Sequence, residues 1–102
     1  MHIEVNFSDF YNAFIRMDRK NDFSYEGLRV LFDYLEGYEE DIGERIELDV
    51  IGFCCDYNEY SLEDINREYI KEFGTMNEAR EWLEYKTSVC GVTDDTIVFA
   101  AF

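Results

Sequence analysis

Residues 33–49, DYLEGYEEDIGERIELD, hold eight carboxylates and a single base, Arg45. Eight acids minus one base give this stretch a net charge of −7, close to half of the −15 carried by all 102 residues. Apolar residues recur at helical spacing before Gly43 and at alternate positions after it. The stretch therefore predicts the end of an amphipathic helix, a glycine turn and the start of a strand, with acids on one side and core residues on the other.

The composition of the chain is that of a folded acidic protein. Hydrophobic residues make up 47% and aromatic residues 18% of the chain, which predicts one domain over residues 1–102 with a single modest core. Twenty-four acids against nine bases exclude ordinary binding to nucleic acid or to an anionic membrane. No apolar run is long enough for a membrane span or a signal peptide, so a cytosolic protein is expected. A halophilic protein can carry the same charge balance, but the aromatic content argues against that origin.

The cysteines and the histidine predict neither a disulfide framework nor a zinc site. Cys54 and Cys55 are adjacent, Cys90 is distant, and His2 is the only histidine. On the strand predicted below, the side chains of Cys54 and Cys55 would point to opposite faces and could not form a disulfide without strain. Small apolar packing roles are therefore expected for the cysteines.

Two helices are predicted in the first half of the chain. Residues 1–7 are a short strand or an extended lead-in, and Ser8 caps a first helix over residues 8–19 that ends at residues 21–22. Ser24 caps a second helix that Gly43 ends. Its inner face has apolar residues at three- and four-residue steps, and its outer face is acidic. The inner residues are Leu28, Leu31, Phe32, Leu35, Tyr38 and Ile42; the outer ones are Asp33, Glu36 and Glu40.

The second half predicts a sheet with two further helices. Residues 46–55 form a strand that is apolar on both faces at its end, and residues 56–60 form the loop after it. Capping boxes at Ser61–Asp64 and Thr75–Glu78 open helices over residues 62–73 and 76–86, of which Gly74 ends the first. Ile65, Tyr69, Ile70 and Phe73 are expected to face the core from the first of these helices.

The chain ends in a predicted hairpin. Residues 87–92 and 96–102 flank a turn at residues 93–95, and the last strand is expected to pair with residues 46–55. The fold class is therefore α+β, with about four helices packed on a three-stranded, mostly antiparallel sheet.

The residue types that catalyse reactions or bind ligands in other proteins fit structural roles better in this sequence. Paired carboxylates could act as acid and base, but here they lie on predicted exposed faces where nothing separates their pKa values. Asp56 and Asn58 begin like a calcium loop, yet the sixth position is Ser61 and the twelfth is Arg67. Tyr57, Tyr60 and Tyr69 could stack on bases, but the surrounding charge would repel phosphates. We therefore expect no catalytic residue, no cofactor and no metal ion.

The acids themselves are the remaining candidate site. A line of carboxylates on a rigid element resembles the closely spaced charges of duplex DNA, which proteins bind in Lys- and Arg-rich grooves. Such a surface can occupy those grooves, and its charge would speed the encounter. A solvated face that only keeps the protein soluble explains the charge equally well. The candidate partner-binding residues are Asp33, Glu36, Glu39, Glu40, Asp41, Glu44, Glu47 and Asp49.

Residues 23–64 carry the motif FDYLE-x-YEED-x-GE-x-IELDVI. This block resembles a group of small acidic proteins encoded by bacteriophages and mobile elements, which implies a phage context. In size and charge the chain also resembles anti-CRISPR and anti-restriction DNA mimics. The resemblance implies an inhibitor in the host cytoplasm whose partner is the basic DNA-binding surface of a host protein or CRISPR effector complex. An acidic protein–protein interaction module without DNA mimicry is the alternative.

Overall fold

The computed structural model describes residues 5–17 and 23–102. Eight elements follow one another along these residues: α1 Phe7–Arg16, α2 Tyr25–Ile42, α3 Val50–Asp56, β1 Tyr57–Ser61, α4 Leu62–Tyr69, α5 Met76–Lys86, β2 Val89–Val92 and β3 Thr96–Ala100. The predicted α+β class is confirmed, with five described helices where about four were expected and with a three-stranded antiparallel sheet.

The first helix begins one residue earlier than its sequence predicts. Asn6, not Ser8, is the N-cap, and it forms a reciprocal capping box with Asp9. Phe10 and Phe14 are fully buried, as their spacing indicates. The predicted end of this helix and the stop at residues 21–22 lie outside the described residues.

The second helix is confirmed at both ends. The Ser24 hydroxyl accepts a hydrogen bond from the Gly27 N–H, and Gly43 adopts the left-handed conformation (φ 70°) that ends the helix. Four of the six predicted inner residues are buried. The other two, Tyr38 and Ile42, are 47% and 44% exposed, which corrects their prediction as core residues. They occupy the last turns, where α2 extends beyond the core.

The strand predicted over residues 46–55 is wrong. Residues 45–49 form no regular element and pair with no strand, and Val50–Asp56 is the helix α3. Asp49 caps it by accepting a hydrogen bond from the Gly52 N–H at 3.0 Å, and Val50 and Phe53 become buried at helical spacing. The short apolar run thus packs as a helical turn, because one Asp cap and two core contacts outweigh the strand preference of its β-branched residues.

The predicted loop over residues 56–60 is also wrong, because Tyr57–Ser61 is the strand β1. Its five residues pair with β3 from Tyr57↔Ala100 to Ser61↔Thr96. The apolar strand β3 therefore lies beside β1, not beside residues 46–55. The pairing overrides the polar composition of the segment, since tertiary contacts decide strand formation more than residue type does.

The last two helices are confirmed, with corrections to the second capping box, to the end of α4 and to one core residue. The Ser61–Asp64 box opens α4. At the start of α5 the Thr75 hydroxyl accepts from the Glu78 N–H, but the described hydrogen bonds do not include the reciprocal bond of the predicted box. However, α4 ends at Tyr69, five residues before Gly74, because Ile70 takes the left-handed conformation. Ile70 is 90% exposed, which corrects its prediction as a core residue. Phe73 lies half-buried beyond the end of the helix.

The sheet has the order β1-β3-β2 and separates two layers of helices. The predicted hairpin is confirmed as β2 and β3, with a bulge between Val89 and Gly91. Val98 on the central strand packs with α1, α2 and α3, whereas Ile97 and Phe99 pack with α4 and α5. Each face of the sheet therefore has its own apolar cluster, and α2 and α4 lie on opposite sides of it.

Candidate acidic interaction surface

The outer face of α2 carries a row of carboxylates. Asp33, Glu36 and Glu40 lie within about 60° around the helix, since each residue advances by about 100°. Asp33 and Glu40 are exposed and Glu36 is half-buried. Leu28, Leu31 and Leu35 are buried on the other side of the helix, so packing fixes the orientation of the row.

One of these acids has a cationic partner. Arg29 Nε lies 3.5 Å from Asp33 Oδ2, one helical turn away, and both side chains are more than half exposed. An exposed i,i+4 pair of this kind contributes about 0.5 kcal/mol or less to stability. Asp33 is therefore partly neutralised in the free protein, and Glu36 and Glu40 are the stronger contributors to the local field.

Two of the eight predicted residues have structural roles. Glu39 Oε2 accepts a hydrogen bond from the Ile46 N–H at 2.7 Å, which ties residues 45–49 to the end of α2. Asp49 caps α3. Both carboxylates bond to backbone groups and so help to form the fold that displays the others.

Five of the remaining six residues have no structural role in the described parts of the chain. Within residues 5–17 and 23–102, no hydrogen bond or ion pair involves the carboxylates of Glu36, Glu40, Asp41, Glu44 and Glu47. All except the half-buried Glu36 are exposed. We refer to the six residues Asp33, Glu36, Glu40, Asp41, Glu44 and Glu47 as the acidic surface.

Residues 46–48 keep the alternation of half-buried and exposed side chains that the sequence predicts, although they are not part of the sheet. Ile46 and Leu48 are half-buried against the core cluster of α1, α2 and α3, while Glu47 is exposed. The bond from Ile46 to Glu39 fixes where this alternation begins. The structure therefore joins the α2 row, the Gly43 turn and Glu47 into one ordered stretch of chain.

The acids at the C-terminal end of α2 are unfavourable for the local electrostatics of the helix. The last turn of α2 contains no basic residue, and Glu40 and Asp41 lie there next to the unpaired backbone carbonyls. The C-terminal end of a helix carries a partial negative charge, so an acid there typically destabilises by about 0.3–1 kcal/mol. Neither helix stability nor a hydrogen bond accounts for these two acids.

One further exposed acid, which is not among the predicted site residues, lies on the same face of α2. Glu26 precedes Asp33 by seven residues, which is close to two full turns, and it is exposed. The recurrence of acids at positions 26, 33 and 40 is the signal that could have identified it. Glu26 extends the acidic row toward the N-terminus of α2, although Arg29 lies between it and Asp33 on that face.

The residues that were candidates for a calcium loop, a metal site or a disulfide do not form such a site in the structure. Asp56 ends α3 and Asn58 lies in β1, so they do not form a loop around a cation. Among the described residues, no group of three His, Cys, Asp or Glu side chains could hold a metal ion, and no charged side chain is buried. Cys54 and Cys55 lie on α3, not on a strand.

The three tyrosines considered as a stacking platform pack in two separate clusters. Tyr57 packs with the helices α1, α2 and α3, whereas Tyr60 and Tyr69 lie on the other side of the sheet. Burial, and then its proximity to Cys90, raises the pKa of Tyr57 to about 12. Burial likewise raises the pKa of the Cys90 thiol to about 12. Tyr57 and Cys90 are therefore neutral packing residues at physiological pH.

A cleft on the described part of the molecule adjoins the acidic stretch. It has a volume of about 380 Å³ and lies between the end of α1 and residues 48–51, with Ala13, Met17 and Leu48 in its wall. Asp49 also lines it, but that carboxylate is bonded to Gly52. The cleft therefore contains no pair of carboxylates positioned for acid–base work.

None of the helices that the structure describes combines the length and the apolar character needed to cross a membrane.

Comparison with protein families, with curated proteins and with solved structures finds no match to this chain. The resemblance to phage-encoded acidic proteins therefore stays a prediction from the sequence.

Proposed function

We propose that this chain is a phage-type inhibitor that binds a host defence nucleoprotein complex through the acidic surface and blocks nucleic-acid binding. A CRISPR effector complex is the first target class and a restriction enzyme is the second. The protein would act in the host cytoplasm, by occupying a basic DNA-binding groove and without catalysing a reaction. The observation that carries this proposal is the ordered row of carboxylates that no described structural role explains.

The spacing of the acids supports DNA mimicry. Asp33, Glu36 and Glu40 extend over seven residue steps, which is about 10.5 Å of helix axis. One carboxylate of this row therefore occurs about every 5 Å, compared with one phosphate per about 3.4 Å along one strand of duplex DNA. A groove lined by Lys and Arg for phosphates could pair with such a row, with Glu44 and Glu47 extending it beyond the helix.

The rigidity of α2 and of the segment that follows it also supports the proposal. The Leu residues of α2 are buried, Gly43 ends the helix, and Glu39 ties the following segment back to it. Carboxylates on such a scaffold lose less conformational entropy on binding than the same acids on a disordered tail. The side chains themselves must still be ordered, at a typical cost of about 0.5–1.5 kcal/mol each.

The alternative is an acidic interaction or regulatory module without DNA mimicry. It is favoured by large exposed apolar side chains on the described residues, of which Ile70 and Tyr85 are 90% and 85% exposed. An apolar interface depends weakly on ionic strength, whereas exposed charge pairing is screened with a Debye length of about 10 Å at 0.1 M salt. Salt dependence therefore distinguishes the two functions.

The test uses a panel of purified CRISPR effector–guide RNA complexes and restriction enzymes, each with its fluorescently labelled cognate duplex. We expect the protein to prevent DNA binding by at least one member, measured by fluorescence anisotropy. Excess unlabelled duplex should displace the protein, and inhibition should weaken steeply between about 50 and 300 mM salt. Binding that excess duplex leaves unchanged, or that is insensitive to salt, would favour the alternative.

A further inference from the structure

Ile70 has an unusual conformation for its residue type. Its φ and ψ angles are 54° and 56°, the left-handed region that glycine or asparagine normally occupies at the end of a helix. For a β-branched residue this conformation is a genuine outlier, because the β-carbon crowds the following carbonyl oxygen. Ile70 is also 90% exposed, so burial within the chain does not compensate for the strain.

The backbone around Ile70 is held in place by Asn66. The Asn66 carbonyl accepts hydrogen bonds from the N–H groups of Ile70 and Lys71, and its side-chain amide exchanges two bonds with the backbone of Phe73 at 2.9 and 3.0 Å. The segment between these anchors is therefore fixed. Ile70 is presented to solvent on a constrained turn, not on a frayed helix end.

Aromatic side chains surround this turn. The Tyr69 ring stacks on Phe102 with 5.2 Å between centroids and lies 5.3 Å from Trp82. Lys71 Nζ lies 5.1 Å from the centre of the Trp82 ring, so both chain neighbours of Ile70 contact the same indole. We define the Ile70 patch as Tyr69, Ile70, Phe73, Trp82 and Phe102.

The segment that carries Tyr69, Ile70 and Phe73 of the patch is a locally neutral part of a strongly acidic chain. Residues 66–76 contain two bases, Arg67 and Lys71, and two acids, Glu68 and Glu72, and so have a net charge of zero. Bases and acids alternate on either side of Ile70. Arg67 already pairs with Asp64 of its own chain, at 2.6 Å. In a two-fold symmetric contact, Lys71 of each copy can face Glu72 of the other, which makes such a surface self-complementary.

The position of the patch also suits contact between two copies. It belongs to the layer of α4 and α5, whereas the acidic surface belongs to the α2 layer on the other side of the sheet. Two copies joined through the patch would hold their acidic surfaces apart by several helix and sheet layers. Layers are about 10 Å thick, so the separation exceeds the Debye length of about 8 Å at physiological salt.

We propose that the Ile70 patch is the contact through which two copies of this chain form a symmetric dimer. Ile70 of each copy leaves water against the aromatic rings of the other, which accounts for an exposed isoleucine in a strained conformation. The two acidic surfaces then face outward at opposite ends of the dimer. This inference does not depend on the proposed function, because it concerns the other side of the sheet.

The test is sedimentation equilibrium of the full chain over a wide concentration range, with the variants Ile70→Gly and Ile70→Asp. The wild type should dimerise, and its dissociation constant should fall as salt increases, because salt screens repulsion between two copies of charge −15. Two isoleucines are buried per dimer, so Ile70→Gly should weaken dimerisation by about 100-fold or more. Ile70→Asp should abolish it.

Stability measurements separate this role from a structural one. Glycine relieves the left-handed strain, so Ile70→Gly should raise the Tm of the dilute monomer by about 5 °C while dimerisation is lost. Ile51→Asp is the matched control, because Ile51 is 48% exposed on α3 in the other layer, and this variant should dimerise normally. A wild type that stays monomeric at all concentrations and salts, or an Ile70→Asp variant that still dimerises, would overturn the proposal.

Discussion

Ser24 donates two hydrogen bonds to the carboxylate of Glu59, one from its backbone N–H at 2.7 Å and one from its hydroxyl at 2.6 Å. Ser24 caps α2 and Glu59 lies in the middle of β1, so the pair joins the helix that carries the acidic surface to the sheet. The Thr96 hydroxyl of β3 also donates to Glu59. A carboxylate at the N-terminal end of an 18-residue helix is further stabilised by the helix dipole.

Gly27 makes this arrangement possible, and its replacement is the first prediction. A β-carbon at Gly27 would overlap the Glu59 carboxylate, whereas a β-carbon at Gly37 on the same helix would meet no atom within 4 Å. Gly27→Ala should therefore lower the free energy of unfolding by about 1–3 kcal/mol, because Glu59 must leave the helix end. Gly37→Ala should raise it by about 0.5–1 kcal/mol. Urea unfolding of both variants measures these changes, and equal effects would contradict the role of Glu59.

The acids at the end of α2 should limit stability. Replacing Glu40 by Gln and Asp41 by Asn removes two negative charges from the C-terminal end of the helix dipole. We expect each change to raise the free energy of unfolding by about 0.3–1 kcal/mol, less at high salt. The matched control is Glu63→Gln in the first turn of α4, where loss of an acid should destabilise by a similar amount. Thermal unfolding at low salt is the measurement, and a stability loss in the α2 variants would show that these acids support the fold.

The cysteines should differ in reactivity. Cys55 is exposed, whereas burial raises the pKa of Cys90 to about 12. At pH 8 only about one Cys90 thiol in 10,000 is ionised, and the thiolate is the nucleophile. Iodoacetamide at pH 8 should therefore modify Cys55 and leave Cys90 intact, as read by peptide mass spectrometry. Unfolding in denaturant should make Cys90 reactive, and rapid modification of Cys90 in the folded protein would contradict its burial.

Local signals in the sequence predict much of this fold. Ser24 and Gly43 mark both ends of α2, the Ser61–Asp64 box marks the start of α4, and the hairpin lies where the turn at residues 93–95 indicates. Each of these signals works through hydrogen bonds or backbone angles within a few residues.

The sequence is misleading where distant contacts decide the structure. Val50 and Phe53 fit a strand or a helical turn equally well, and the Asp49 cap together with the core selects the helix. Tyr57–Ser61 has the composition of a loop and becomes a strand through pairing with β3. The roles of Glu39 and Glu59 were also hidden, because their partners lie seven and 35 residues away.

For the acidic surface too, the sequence predicts the local spacing of the acids but not their contacts with distant residues. Helical spacing predicts that Asp33, Glu36 and Glu40 share one face, and the structure brings them together there. The sequence could not separate the acids that bond to backbone groups from those that do not. Glu39 and Asp49 belong to the first group, so charge reversal at either would disturb the fold as well as any partner contact.

The most direct test of the proposed function is therefore a charge reversal that avoids these two residues. The variant Glu36→Lys, Glu40→Lys, Glu44→Lys changes the net charge from −15 to −9, as three reversals add six charges. Its matched control, Glu63→Lys, Glu81→Lys, Asp94→Lys, makes the same change at exposed acids of α4, α5 and the hairpin turn. Circular dichroism should show both variants folded.

The decisive measurement is the inhibition constant of each variant against the panel member that the wild type inhibits, by anisotropy of the labelled duplex. We predict that reversal on the acidic surface raises this constant by at least about 100-fold, since each lost charge pair contributes on the order of 1 kcal/mol. The control should change it by less than about threefold. Inhibition that survives reversal of Glu36, Glu40 and Glu44, or that the control abolishes equally, would contradict the assignment of function to the acidic surface.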